Sequence, residues 1–379
     1  MGFWNTISVA MTYATLLQAG ILNGLNRELP FNLGAGNDSK SAALAGTGQT
    51  FTVAGCIIAA VIGMGAAVSF AGRGFDFSFA ILVLTVTIIT TFYTNYLNVT
   101  FRSKNSFMAL GGVQIAVAML SLITVPILYF WGYEGMLWRM ILLSVAGAVF
   151  LHLARPMKLG FSWDWTSFKE LLATGLPIFA LSYVESSAGT FDRLALFKFG
   201  GVEQVGYYSL GLMVWQGMNV IPMSLTMYFY PRMTFHVGRG ADSVVLWRSA
   251  FKATLVVIIL TIPMIAAGWF LLPVVVPFFF PKYIPGIYAA QLLMWAAFFS
   301  IATIGVNILW SMKAWRYMAG YQLSAALFKG AGPFIGALLF SDLLEGVACG
   351  VVAAYAAAFI VGLVLTYIAT HRPDFAKAV

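Results

Sequence analysis

Four ionisable side chains, Glu185, Asp192, Arg193 and Lys329, stand inside long apolar stretches of this 379-residue chain. A charge in such surroundings costs energy unless it faces a cavity or a partner, so each marks a place where chemistry is possible. On a continuous helix Glu185 and Asp192, seven residues apart, share a face, and Arg193 is rotated from Asp192 by about 100°. Lys329 lies beside Gly330, Gly332 and Pro333, which loosen or kink a helix. Two readings follow. Lys329 and Arg193 attract an anion into a cavity while Glu185 or Asp192 holds a proton or cation. Alternatively Glu185 pairs with Lys329 and Asp192 with Arg193, locking helices together without a ligand. Arg27 ends an apolar run, where it meets an entering anion or serves topology alone. Arg139 reads as snorkelling from a helix end.

Nothing else resembles catalytic machinery. The chain has no P-loop lysine motif, no His-Glu-x-x-His and no nucleophile elbow. His152, His236 and His371 are scattered, and Cys56 and Cys349 have no metal-type spacing. The expectation is no enzyme, no cofactor and no metal site.

The elements that must position these charges are membrane helices. Hydrophobic residues make up 61% of the chain and charged residues 9%, far below the roughly 25% of a soluble domain. The net charge of +8 is spread along the chain rather than clustered, which excludes a nucleic-acid face. Apolar runs of bilayer-spanning length predict helices at 4–26, 49–71, 77–98, 107–130, 135–153, 171–198, 205–229, 251–275, 285–311, 317–340 and 346–370. Pro273, Pro277 and Pro281 predict a break after 251–275. Ser167 and Glu170 form a capping box ahead of 171–198. Most of the 21 basic residues fall after alternate spans, and the other loops hold only Arg73, Lys198 and Lys282. The positive-inside rule therefore places the C-terminus in the cytoplasm and the N-terminus of this chain outside.

An internal repeat organises the spans. Phe31-Asn-Leu-Gly34-Ala-Gly36-Asn-Asp38 returns as Phe235-His-Val-Gly238-Arg-Gly240-Ala-Asp242, offset by 204 residues. The same offset carries the second, third and fourth spans onto the eighth, ninth and tenth. The expected fold is thus an all-α integral membrane protein of about eleven transmembrane helices in two parallel-repeat bundles, 1–160 with five spans and 161–379 with six, around a central cavity. The two G-x-G segments read as turns at helix ends. A counterpart of 171–198 is missing ahead of 4–26, and an outside N-terminus without a signal peptide predicts truncation.

The chain resembles the bacterial polysaccharide (O-antigen-type) flippases of the multidrug/oligosaccharidyl-lipid/polysaccharide exporter superfamily. The resemblance runs through Tyr13-Ala-Thr-Leu-Leu-Gln-Ala-Gly20, Asn26-Arg27-Glu28-Leu29-Pro30, Gly175-Leu-Pro177, Phe191-Asp192-Arg193 and Gly200-Gly-Val-Glu203-Gln-Val-Gly206-Tyr-Tyr-Ser209 to Pro231. It covers essentially the whole chain except the family's first helix. It implies alternating access in a bacterial inner membrane and, as cargo, a polyprenyl-diphosphate-linked oligosaccharide for lipopolysaccharide synthesis. Polysaccharide-assembly enzymes are the partners it suggests. Under it, Lys329, Arg193 and Arg27 meet the diphosphate, Gln216, Asn219 and Gln322 meet sugar hydroxyls, and Glu185 and Asp192 hold the coupling ion. Asn95 and Gln114 are first-half candidates for the same hydrogen bonds. A cation-coupled small-molecule or drug antiporter of the same superfamily is the alternative. Cationic cargo wants carboxylates where a diphosphate wants buried cations.

Overall fold

The computed structural model describes residues 20–70 and 75–371, together with Gln18 and Gly72. Most of the predicted span 4–26 lies outside the described residues. Helices account for nearly all of the rest, and six helical stretches among the described residues are long and apolar enough to cross a bilayer. The protein is an all-α integral membrane protein. Its contacts divide it into two compact units, Met1–Phe179 and Ala180–Val379.

The first unit holds α1 (Ile21–Gly34), α2 (Asp38–Ser69), α3 (Phe75–Ser103), α4 (Phe107–Ile123), α5 (Val125–Leu153) and the opening of α6 (Trp165–Ala188). Its core joins Leu25 and Leu29 of α1, Leu44 of α2, Leu97 and Phe101 of α3 and Leu171 of α6. α1 lies so close to α6 that a Cβ on Gly24 would strike the Leu171 carbonyl, and one on Gly175 the Gly20 carbonyl. Small residues allow this backbone approach where hydrophobic burial alone cannot drive helices together in lipid.

Two local expectations are corrected here. The predicted span 107–130 stops at Ile123, because Pro126 cannot donate to the preceding turn. The break expected near 131–134 survives as a kink at Gly132, whose φ of 53° only glycine adopts easily. The Arg139 guanidinium donates to the Ser121 carbonyl at 2.9 Å and hydroxyl at 2.6 Å, and to the Thr124 hydroxyl at 3.2 Å, capping the C-terminus of α4. The cap of α6 is likewise Asp164 rather than Ser167. Its carboxylate accepts from the Ser167 backbone N–H at 2.8 Å and the Thr166 hydroxyl at 2.5 Å. Hydrogen bonds from Ser167 and then Thr166 hold that exposed carboxyl well below the usual carboxylate range.

The second unit holds the end of α6, then α7 (Phe191–Gly238), α8 (Ser243–Phe279), α9 (Ile287–Ala302), the short α10 (Asn307–Ser311), α11 (Trp315–Leu339) and α12 (Leu343–His371). Short 3-10 helices, Pro281–Gly286 and Thr303–Val306, flank α9. α7 carries an internal break at Gly201 (φ 74°, ψ −168°). α8 runs through Pro263, Pro273 and Pro277 and ends only before Pro281. Membrane helices tolerate such prolines through local adjustment of the freed carbonyls. α11 and α12 touch backbone to backbone. A Cβ on Gly336 would collide with the Gly346 carbonyl, and one on Gly350 with the Gly332 carbonyl.

The two G-x-G segments fold alike. Asn37 N–H reaches the Asn32 carbonyl and Gly36 N–H the Leu33 carbonyl, with Gly36 at φ 73°. Ala241 N–H reaches the His236 carbonyl and Gly240 N–H the Val237 carbonyl, with Gly240 at φ 72°. Both are Schellman turns. A second pair follows at Asn105 (φ 55°) and Lys313 (φ 53°), with the same two bonds around each. The offset from Asn105 to Lys313 is four residues longer than that from Phe31 to Phe235, about one helical turn.

Candidate functional site

Lys329 reaches the site because of what surrounds it on α11. Pro333 removes the N–H that would have bonded the Lys329 carbonyl, loosening the helix at the turn bearing the charge. The glycines at 332 and 336 then hold α11 against α12, which sets Tyr355 opposite Lys329. The ammonium sits 4.2 Å from the centre of the Tyr355 ring, an attraction between a cation and the negative ring face. It also bonds the Glu185 carboxylate of α6. Trp215 of α7 completes the cluster, its ring edge-on to Tyr355 at 4.9 Å. Residues of three other helices thus gather around a buried ammonium, two of them touching it.

Two cavities of the second unit share Lys329 and Tyr355 as a common wall. The first, about 250 Å³, is lined by Asp192, Arg193, Gln216 and Trp215 as well. The second, about 340 Å³, adds Glu185, Asn219, Asn307, Trp310, Tyr321 and Gln322. In the first, Asp192 is buried and fully engaged. It accepts from the Arg193 backbone N–H at 2.7 Å and the Tyr208 hydroxyl at 3.0 Å, and the Arg193 side chain lies 3.6 Å away. The Arg193 guanidinium itself is about half exposed, at 47%. In the second, Asn219 donates to the Trp215 carbonyl at 2.8 Å. Gln322 is 6% exposed, and its amide oxygen has no hydrogen-bond partner.

The structure therefore brings together Lys329, Arg193, Gln216, Asn219, Gln322, Glu185 and Asp192. Both ion pairs that the sequence allowed are formed, and both border cavities. Glu185 and Asp192 stand on successive helices, since α6 ends at Ala188 and α7 begins at Phe191, and at the turn between them the Thr190 hydroxyl donates to the Ser187 carbonyl at 2.8 Å.

Arg27 is not among the residues lining these two cavities. It lies in the first unit, 4% exposed, bonded to Glu28 at 3.0 Å and 4.2 Å from the Phe31 ring centre. The Thr174 hydroxyl donates to the other Glu28 oxygen at 2.7 Å. Glu28 is a buried carboxylate that the sequence reading placed in a loop. The signal was present, since α1 continues through Pro30 to Gly34 and the apolar residues around Glu28 keep helical spacing. Tyr355, Trp310, Tyr321 and Asn307 were also missed, as aromatic and amide groups in apolar helices have no pattern of their own. Among the described residues no group of three or more His, Cys, Asp or Glu side chains is arranged to hold a metal ion.

Residues 47–283 match a family described as polysaccharide biosynthesis protein. No curated protein matches. Solved structures share the fold. MATE in complex with MaD3S superposes with a TM-score of 0.79 at 16% identity, covering 96% of this chain and 88% of that one. An outward-facing multidrug resistance MATE family transporter of the MOP superfamily gives 0.77 at 15% identity, covering 98% and 88%. A MOP superfamily transporter from Pyrococcus furiosus, described as having a binding pocket of reverse polarity, gives 0.75 at 16% identity, covering 96% and 87%.

Proposed function

The chain belongs to the polysaccharide biosynthesis protein family, and from that membership we propose that it carries a polyprenyl-diphosphate-linked oligosaccharide from the cytoplasmic to the outer leaflet of a bacterial inner membrane by alternating access. The observation that carries the reading is Lys329, a buried ammonium on the wall of two polar cavities within apolar helices. A cation there is costly unless it serves a partner or a ligand. Glu185 offsets the cost in the resting arrangement, and an anionic cargo offsets it when bound.

In this reading the diphosphate enters the cavity bordered by Arg193 and Lys329. The half-exposed Arg193 guanidinium offers a fork of donors suited to phosphate oxygens. Glu185, released from Lys329, is the group that takes up a coupling proton or cation, and Asp192 fixes Arg193. Arg27 is assigned to holding the first unit together. Gln216, exposed on the wall of the same cavity, is assigned to orienting the cargo. The loops rich in basic residues, and the C-terminus, face the cytoplasm.

A second reading is exchange of a small organic cation, and the cavity carboxylates Glu185 and Asp192 are what favour it. Both already carry cationic partners, which weighs toward anionic cargo. The deciding experiment follows the sidedness of a lipid-linked oligosaccharide in proteoliposomes, using a sugar-modifying enzyme added outside. Protein-dependent loss of protection, weakened by Lys329→Ala, is expected. Retained protection under imposed proton and sodium gradients, with uptake of a cationic dye instead, overturns the reading in favour of the exchanger.

A further inference from the structure

We infer that the larger of the two cavities that share Lys329 is a subsite for one uncharged sugar unit and that it rejects acidic sugars. The inference rests on the flippase reading and deepens it, by separating where the charged and the neutral parts of the cargo sit.

Charge accounting comes first. Of the residues lining this cavity, the ionised ones are Glu185 and Lys329, and they bond each other. An anion placed here gains Lys329 only by losing the Glu185 pair and then facing that carboxylate. The smaller cavity sets two cations, Arg193 and Lys329, against one carboxylate, Asp192, so its lining stays net positive even with the Asp192–Arg193 pair formed. A carboxylated sugar is therefore better held on the Arg193 side, and the larger cavity is left to a neutral occupant.

Hydrogen bonding then narrows the class. The Gln322 amide oxygen is buried without a donor, and an unsatisfied buried acceptor is a cost that a ligand's O–H or N–H removes. Asn219, Asn307, Thr226 and Ser300 add neutral donors and acceptors around the same space. Trp310 and Tyr321, both 8% exposed, supply apolar ring surface alongside them. Pockets that combine aromatic walls with a few convergent neutral polar groups fix both the body and the orientation of a ligand. A pyranose matches on both counts, with C–H faces for the rings and hydroxyls, or an acetamido N–H, for the amides. A lipid chain would leave Gln322 unsatisfied.

The test uses the full purified chain in detergent, with N-acetylglucosamine, glucose and glucuronic acid as probes and titration calorimetry as readout. The neutral sugars are expected to bind and glucuronic acid to bind more weakly. Gln322→Leu should weaken the neutral sugars roughly tenfold, the scale of one lost hydrogen bond with its partner left unpaired. Asn307→Ala is the second variant, in case Gln322→Leu does not fold, with thermal unfolding reporting on both. Equal or tighter binding of glucuronic acid, no binding of either neutral sugar, or unchanged neutral-sugar affinity in a folded variant overturns the inference. Failure of the flippase reading looks different: sugar binding and its loss in Gln322→Leu persist while no lipid-linked oligosaccharide crosses the proteoliposome membrane.

Discussion

Each unit buries a cation beside a carboxylate, and the two pairs are built in opposite ways. In the first unit Arg27 and Glu28 are neighbours in sequence on one helix, exposed by 4% and 1%, with Thr174 closing on the carboxylate from α6. In the second, Glu185 and Lys329 come from different helices, and the carboxylate side chain keeps 25% of its surface exposed. The first pair is almost fully buried, whereas in the second Lys329 lines two cavities and Glu185 one of them. A pair with so little exposure is suited to holding structure, since a buried charge is costly to separate from its partner. A pair on a cavity wall has somewhere to send each charge when the other is taken by a ligand. Burial of a charge thus does not distinguish scaffold from site; access to a second partner does.

The contrast can be broken by mutation. Glu28→Ala takes the paired carboxylate from a buried Arg27 and should lower stability by about 3–5 kcal/mol, read as a fall in the midpoint of thermal unfolding in detergent. Lys329→Ala should reduce lipid-linked oligosaccharide flipping by roughly 10–100-fold, the value of a charge-assisted contact. Its unfolding midpoint should fall less than that of Glu28→Ala, because water in the cavities can hydrate the freed Glu185. Equal losses of stability in the two variants would erase the distinction between scaffold and site.

Smaller changes sharpen it. Gly336→Ala drives a methyl into the Gly346 carbonyl and should destabilise by about 1–3 kcal/mol, while shifting Tyr355 relative to Lys329. Flipping should therefore fall alongside stability, which a purely structural contact in the first unit would not produce. Asp164→Ala is the mildest. The Asp164 carboxyl titrates lower in the folded chain than in the unfolded one, so its contribution is complete above the unfolded value near pH 4 and fades as pH falls through the folded value. Hydrogen exchange at the Thr166 and Ser167 amides should lose protection over that acidic range in the native protein. The variant should show no such transition.

Much of this was legible in the chain itself, for identifiable reasons. The membrane class follows from apolar runs that no soluble core could absorb. The turns at Gly36 and Gly240 were visible because only glycine takes that backbone cheaply, so the residue type reports the conformation. The equivalent turns at Asn105 and Lys313 escaped, since Lys313 carries no such signature. Lys329, Glu185, Asp192 and Arg193 stood out because charge in apolar sequence is expensive. Their pairing was legible only as one of two readings, because spacing along one helix does not fix which side chains of other helices come within reach. Glu28 shows the reverse error: a carboxylate beside Arg27 and Pro30 looks like a loop until the helix is seen to continue through the proline.

The glycines joining α11 to α12 also have a practical use. Backbones in direct contact along Gly332, Gly336, Gly346 and Gly350 leave no slack for sliding, so these two helices form a single mechanical part. Spectroscopic labels on their outer faces would keep one fixed spacing through the whole working cycle. The protein carries its own ruler, against which displacement of any other helix of that unit can be calibrated.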